Sequence, residues 1–155
     1  MDEFMKIAKE LSEENLVTGA GGPFGACIVK NGRVIGKGSN QVLKSNDPTA
    51  HAEIMAIRAA CESIGSYDLS GCILYTSCYP CPMCYSASAW ANISHIYYGN
   101  TREDAARIGF RDNDLYEFFL TGESSSAMPE LEALDRDETI KVFEEFDRKK
   151  DKKIY

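Results

Sequence analysis

Cys72-Ile73-Leu74-Tyr75-Thr76-Ser77, then Cys81-Pro82-Met83-Cys84 and on to Ala91, then His95-Ile96-Tyr97-Tyr98-Gly99 is the stretch that decides the fold. Its first run reads as a buried strand, its middle as a helix and its last as another strand. Strand and helix alternate here, which implies parallel pairing through a right-handed crossover. Upstream, Pro48 and Thr49 start a helix whose apolar stripe is Ile54, Ile57, Cys61 and Ile64. Further upstream, Phe24–Lys30 and Val34–Asn40 read as an antiparallel strand pair joined at Asn31-Gly32, a strong hairpin signal. At the front, Phe4, Ile7, Ala8, Leu11 and Leu16 recur at helical intervals, so a first amphipathic helix is expected from about Asp2 to Val17, stopped by Gly19, Gly21 and Gly22.

Downstream, a short helix is expected over Arg102–Ile108, a strand near Leu131–Leu134 and a last helix from about Asp137 to Lys150. Ser124-Ser125-Ser126 reads as a surface loop. The fold class is α/β, a mixed sheet covered by helices on both faces, in one domain over residues 1–155. The net charge is −7, with a pI near 4.9, and both oppose a broad basic face for nucleic acid. A small-molecule substrate fits better. Residues 1–20 carry neither a signal h-region nor a transit peptide, and no run is long enough to span a membrane. Six cysteines in such a chain suggest a reducing cytoplasm with thiols that are free, buried or metal-bound.

His51-Ala52-Glu53 opens one expected helix and Pro80-Cys81-Pro82-Met83-Cys84 opens the next, at the ends of strands where open α/β sheets place their sites. Cys81 and Cys84 share one face of a helical turn, and the positive end of the helix favours their thiolates. With His51 they make a three-ligand nitrogen and sulfur set for one Zn²⁺, leaving a fourth tetrahedral position for water. Two thiolates neutralise the ion's charge, so a base is needed beside it. Glu53 can take the proton of water as it attacks an amidine-like ring carbon, then deliver it to the departing amine. On a regular helix Glu53 would point about 200° away from His51, so it should reach the water from the side and not as a ligand. The order H-x-E then P-C-x-x-C is a zinc-deaminase signature. Taken alone, Cys81 and Cys84 also fit a thiol redox pair, and a zinc-stabilised binding module is a further alternative.

At these residues the chain resembles the cytidine deaminase superfamily, and within it the bacterial guanine deaminases. Gly21-Gly22-Pro23-Phe24-Gly25-Ala26, Ser45–Glu53, Tyr75-Thr76-Ser77-Cys78 and Gly109-Phe110-Arg111-Asp112 carry the likeness beyond the metal motif. The resemblance implies a three-layer α/β/α fold with a mostly five-stranded sheet. It also implies a homodimer whose segments from about residue 129 to 155 are exchanged. The implied reaction is attack of water on C2 of guanine, giving xanthine and ammonia. Asn40 matches a base-contacting asparagine, Phe24 and Trp90 match aromatic residues of the pocket, and Ala52 falls among the substrate-contacting positions. Asp112 matches an acid at the guanine edge, and Tyr155 matches a terminal tyrosine supplied by the neighbouring subunit.

The chain departs from that pattern at Tyr79, where these enzymes usually have glutamate. It also has a basic end, Arg148, Lys149, Lys150, Lys152 and Lys153, like the tail of tRNA adenosine deaminases. The alternatives within the class are therefore cytosine, isocytosine or ammeline as substrate, or tRNA. The overall acidity opposes tRNA.

Overall fold

The computed structural model describes residues 1–122 and 128–154. The chain divides into two compact units, Met1–Gly122 and Glu123–Tyr155. In the first, helix α1 (Glu3–Thr18) is followed by strands β1 (Gly25–Lys30) and β2 (Arg33–Ser39), a single turn α2 (Val42–Ser45), helix α3 (Ala52–Ile64), strand β3 (Cys72–Cys78), helix α4 (Pro82–Trp90), strand β4 (His95–Asn100), and helices α5 (Arg102–Arg107) and α6 (Asp112–Thr121). The sheet runs β2-β1-β3-β4; β1 is antiparallel to both neighbours and β3 is parallel to β4. The α/β class and the parallel crossover through α4 agree with the sequence reading.

Period-two alternation along β1 separates the two faces. Cys27 and Val29, with Tyr75 of β3, pack under Phe4, Met5 and Ile7 of α1. Ala26 and Ile28, with Cys72 and Leu74, pack under α3. Asn31 and Gly32 both take positive φ, 50° and 72°, which is the two-residue hairpin turn that Asn-Gly favours. On α1, Asp2 caps the start by accepting from the backbone N–H of Phe4 and Met5, and Gly19 closes the end at φ 62°.

The contact face of α3 differs from the expected isoleucine stripe. Ala52, Ala56 and Ala60 are fully buried, while Ile57, Cys61 and Ile64 only flank them. The cause lies in β2. A Cβ on Gly36 would lie 2.4 Å from the carbonyl of Ala56, and one on Gly38 would lie 2.3 Å from the carbonyl of Ala52. Two side-chain-free positions and an alanine stripe let helix and strand backbones nearly touch, and this sets where α3 begins.

Among the described residues the sheet has four strands, not five. Leu131–Leu134 forms no strand, and Leu131 and Leu134 are exposed. Glu132 and Ala133 are weak strand formers, and the stretch lacks apolar alternation. In the second unit helix α7 (Arg136–Arg148) forms as expected, with Val142 and Phe143 exposed. The expected loop at Ser124–Ser126 and the terminal Tyr155 lie outside the described residues.

Candidate active site

Two helix starts meet at the C-terminal end of β3. His51 is the N-cap of α3 and Cys81 is the N-cap of α4, both in extended backbone conformation, and Pro82 takes the first turn of α4. Because His51 precedes the helix, the about 200° separation expected of a regular helix does not apply to it and Glu53. His51 Nδ1 lies 3.6 Å from the Sγ of both Cys81 and Cys84. Tetrahedral zinc, with bonds of about 2.0–2.1 Å to nitrogen and about 2.3 Å to sulfur, separates such ligand atoms by about 3.6 Å. All three ligand atoms lie within 4.8 Å of one another, so the residues fit zinc in both chemistry and spacing. An ion held there supplies Lewis acidity and lowers the pKa of bound water.

Of the three ligand side chains, Cys81 is the one already disposed to be a thiolate. A hydrogen bond from Cys84, with another from His51, brings the Cys81 thiol down to about 4 against the opposing effect of burial. The hydrogen bond with Cys81, burial and the charge of Glu53 push Cys84 up, so its proton is the one a metal must displace. The hydrogen bond with Cys81 raises the His51 imidazole.

Glu53 is buried, and burial raises its carboxyl above the ordinary range. Its two oxygens have different surroundings. Oε1 accepts a hydrogen bond from Thr76 Oγ1 at 3.2 Å, and Oε2 lies 3.4 Å from Cys84 Sγ. The second oxygen therefore faces the metal ligands, as a proton carrier beside them requires.

A cavity of about 360 Å³ opens in front of these groups, and it is lined by Phe24, Asn40, Tyr79, Phe110 and Asp112 together with His51, Glu53 and Cys81. Phe24 and Phe110 meet edge to face, centroids 4.7 Å apart, and form an aromatic wall. Asn40 is 4 % exposed, and its Oδ1 accepts from the backbone N–H of Val42 at 3.1 Å. A backbone N–H can only donate, so the atom facing it is the oxygen, and the amide NH₂ is what Asn40 can offer a ligand. Buried Asn15 on α1 donates to the carbonyls of Gly22 and Asn40, both at 2.8 Å, and ties two walls of the cavity together. Asp112 opens α6, and burial raises its carboxyl.

The structure thus brings together His51, Glu53, Cys81, Phe24, Asn40 and Asp112 around one cavity, with Cys84 behind it. Ala52 is fully buried against β2 and does not line the space. Trp90 ends α4, is 66 % exposed and is not among the side chains lining the cavity of its own chain. Sequence reasoning missed Phe110 and Thr76. Alternation along β3 carried a signal for Thr76, which follows Cys72 and Leu74 on the face toward α3. Tyr79, singled out only as a departure, lines the cavity and packs against Tyr98 and Tyr116, with the guanidinium of Arg102 4.8 Å from the Tyr116 ring centroid.

Comparison with known proteins agrees with this geometry. Guanine deaminase of Bacillus subtilis is 52% identical over 116 residues, covering 75% of this chain and 74% of that protein. The X-ray structure of guanine deaminase from Bacillus subtilis superposes with a TM-score of 0.90 at 43% identity, covering 100% of this chain and 99% of the other. A tRNA-specific adenosine deaminase of Agrobacterium fabrum is 37% identical over 130 residues, 83% of this chain and 82% of its own. The family model described as the cytidine and deoxycytidylate deaminase zinc-binding region matches residues 1–100, which contain all three ligands, Glu53 and the sheet that positions them. The chain belongs to the cytidine and deoxycytidylate deaminase family.

Proposed function

We propose that this zinc-dependent aminohydrolase is a guanine deaminase, converting guanine and water to xanthine and ammonia. The observation that carries the choice of base is the pairing of one donor, the Asn40 amide, with one acceptor, the Asp112 carboxylate, in a cavity beside the metal ligands. In guanine the carbon bearing the amine is flanked by a ring N–H. In adenine and cytosine it is flanked by a bare nitrogen acceptor, which a carboxylate repels. Asp112 suits the N–H, Asn40 suits a ring acceptor, and Phe24 with Phe110 suits the flat faces of a purine. Glu53 takes the proton of the attacking water and passes it on as the C2–N bond breaks and ammonia leaves. The relatives named guanine deaminase support this reading.

The active protein is further proposed to be a homodimer with exchanged C-terminal segments, Tyr155 reaching the partner's cavity. Support comes from the separation of Glu123–Tyr155 as its own compact unit and from the apolar side chains that α7 exposes. None of the six cysteines is in a disulfide, which supports a reducing cytoplasm as the site of action. No described helix is long and apolar enough to cross a membrane. The net charge of −7 opposes tRNA as substrate despite the basic end of the chain.

A panel of guanine, cytosine, isocytosine, ammeline and tRNA, assayed by ammonia release, tests the choice of base. Guanine should be turned over fastest, with kcat/KM for Asp112→Asn reduced by about 10² while zinc stays bound. Faster release from another member of the panel would overturn the assignment to guanine.

A further inference from the structure

We propose that Thr76 is a positioning residue for the deamination: its hydroxyl holds one oxygen of Glu53 so that the other faces the metal site. Cys72, Leu74 and Thr76 occupy the same face of β3, under α3. The first two are fully buried in the apolar core, and Thr76 is 1 % exposed. A hydroxyl at that depth costs free energy unless it is bonded, and valine has the same shape and suits a strand at least as well. The strand therefore does not need the hydroxyl. Glu53 does: Thr76 Oγ1 donates to Oε1 at 3.2 Å, while Oε2 lies 3.4 Å from Cys84 Sγ.

A carboxylate on a long side chain can turn about its last torsion, which is broad and roughly two-fold. One hydrogen bond from the sheet removes that freedom and presents Oε2 to the water and, later, to the departing amine. Thr76 does not line the cavity, and its side-chain hydrogen bond goes to Glu53, through which it acts. Its placement on β3, the strand that leads into Cys81 at the start of α4, also ties the proton carrier to the element from which two of the metal ligands follow.

The proposal rests on the reading of Glu53 as the proton carrier, and three variants test both. Thr76→Val should keep one zinc per chain, a cooperative melt and the affinity for xanthine, with KM for guanine within about twofold. Its kcat should fall about ten- to hundredfold, the effect of a lost hydrogen bond to a charged group. Thr76→Ser, which keeps the hydroxyl, should recover most of that loss. In a Glu53→Gln background, Thr76→Val should lower kcat by less than about twofold further, because its effect passes through the carboxylate.

If Thr76→Val retains wild-type kcat while Glu53→Gln is slow, the positioning role is wrong and the proton-carrier reading stands. The same conclusion follows if Thr76→Val and Thr76→Ser lose zinc and activity together, which marks a merely structural role. Wild-type turnover by Glu53→Gln would remove the proton-carrier reading and the positioning role with it.

Discussion

Replacing Gly38 by alanine should disturb the site from a position outside it. The new Cβ would sit 2.3 Å from the carbonyl oxygen of Ala52 and 2.5 Å from the backbone nitrogen of Ala56, against an ordinary contact of 3.4 Å or more. Those atoms are helix backbone, so no side chain can swing aside, and α3 must retreat by about 1 Å. Overpacking of this kind costs about 1–3 kcal/mol. The displaced carbonyl belongs to Ala52, between His51 and Glu53, so the shift moves a metal ligand and the proposed proton carrier together. A misplacement of about 1 Å at reacting groups can cost about 10²-fold in rate. Urea unfolding, zinc content and kcat should be measured on Gly38→Ala beside Gly32→Ala. At Gly32 the space is open but φ is +72°, so the control should lose about 1 kcal/mol with unchanged turnover. If Gly38→Ala matches wild type in both stability and kcat, close backbone packing does not position α3.

Further outcomes follow from the site. Cys84→Ser should lose zinc and turnover together, measured by elemental analysis and ammonia release, because a hydroxyl does not replace a thiolate ligand. Asn40→Asp keeps the oxygen that accepts from Val42 but replaces the donor NH₂ with an acceptor; KM for guanine should rise at least tenfold, about 1.4 kcal/mol, with zinc unchanged. Burial pushes the thiols of Cys78 to about 12 and Cys27 to about 11, above the ordinary 9.0. Both therefore hold protons in the folded chain that the unfolded chain releases, so their contribution to stability is complete below about pH 9. It should be lost as pH rises toward 11 and 12, and Cys27→Ala should flatten the decline seen by urea unfolding between pH 9 and 11.

Local chemistry made part of this protein legible in its sequence. Asn31-Gly32 needs positive φ at both positions and took it, and the strand, helix and strand from Cys72 to Gly99 could bury their apolar faces only as a crossover. The metal ligands were legible because their spacing is itself the geometry: one cap residue and one helical turn. What escaped depended on partners distant in sequence. The isoleucines of α3 outrank its alanines on any hydropathy count, yet Gly36 and Gly38 of another element decide which stripe is buried. Helix α6 begins with Asp112, Asn113 and Asp114, which read as loop until their place at a helix start is known. Thr76 is one threonine in a strand until Glu53 is brought to it across 23 residues. Leu131–Leu134 had apolar residues but neither alternation nor a neighbouring strand among the described residues.

The most direct test of the account is a zinc titration of guanine turnover. Chelated, purified protein should release no ammonia from guanine, and activity should return in proportion to added zinc, levelling at one ion per chain. Glu53→Gln should bind the same one ion while its turnover stays lower by about 10² or more. Full guanine deamination by zinc-free protein, or activity that tracks oxidation of Cys81 and Cys84 instead of zinc, would contradict it.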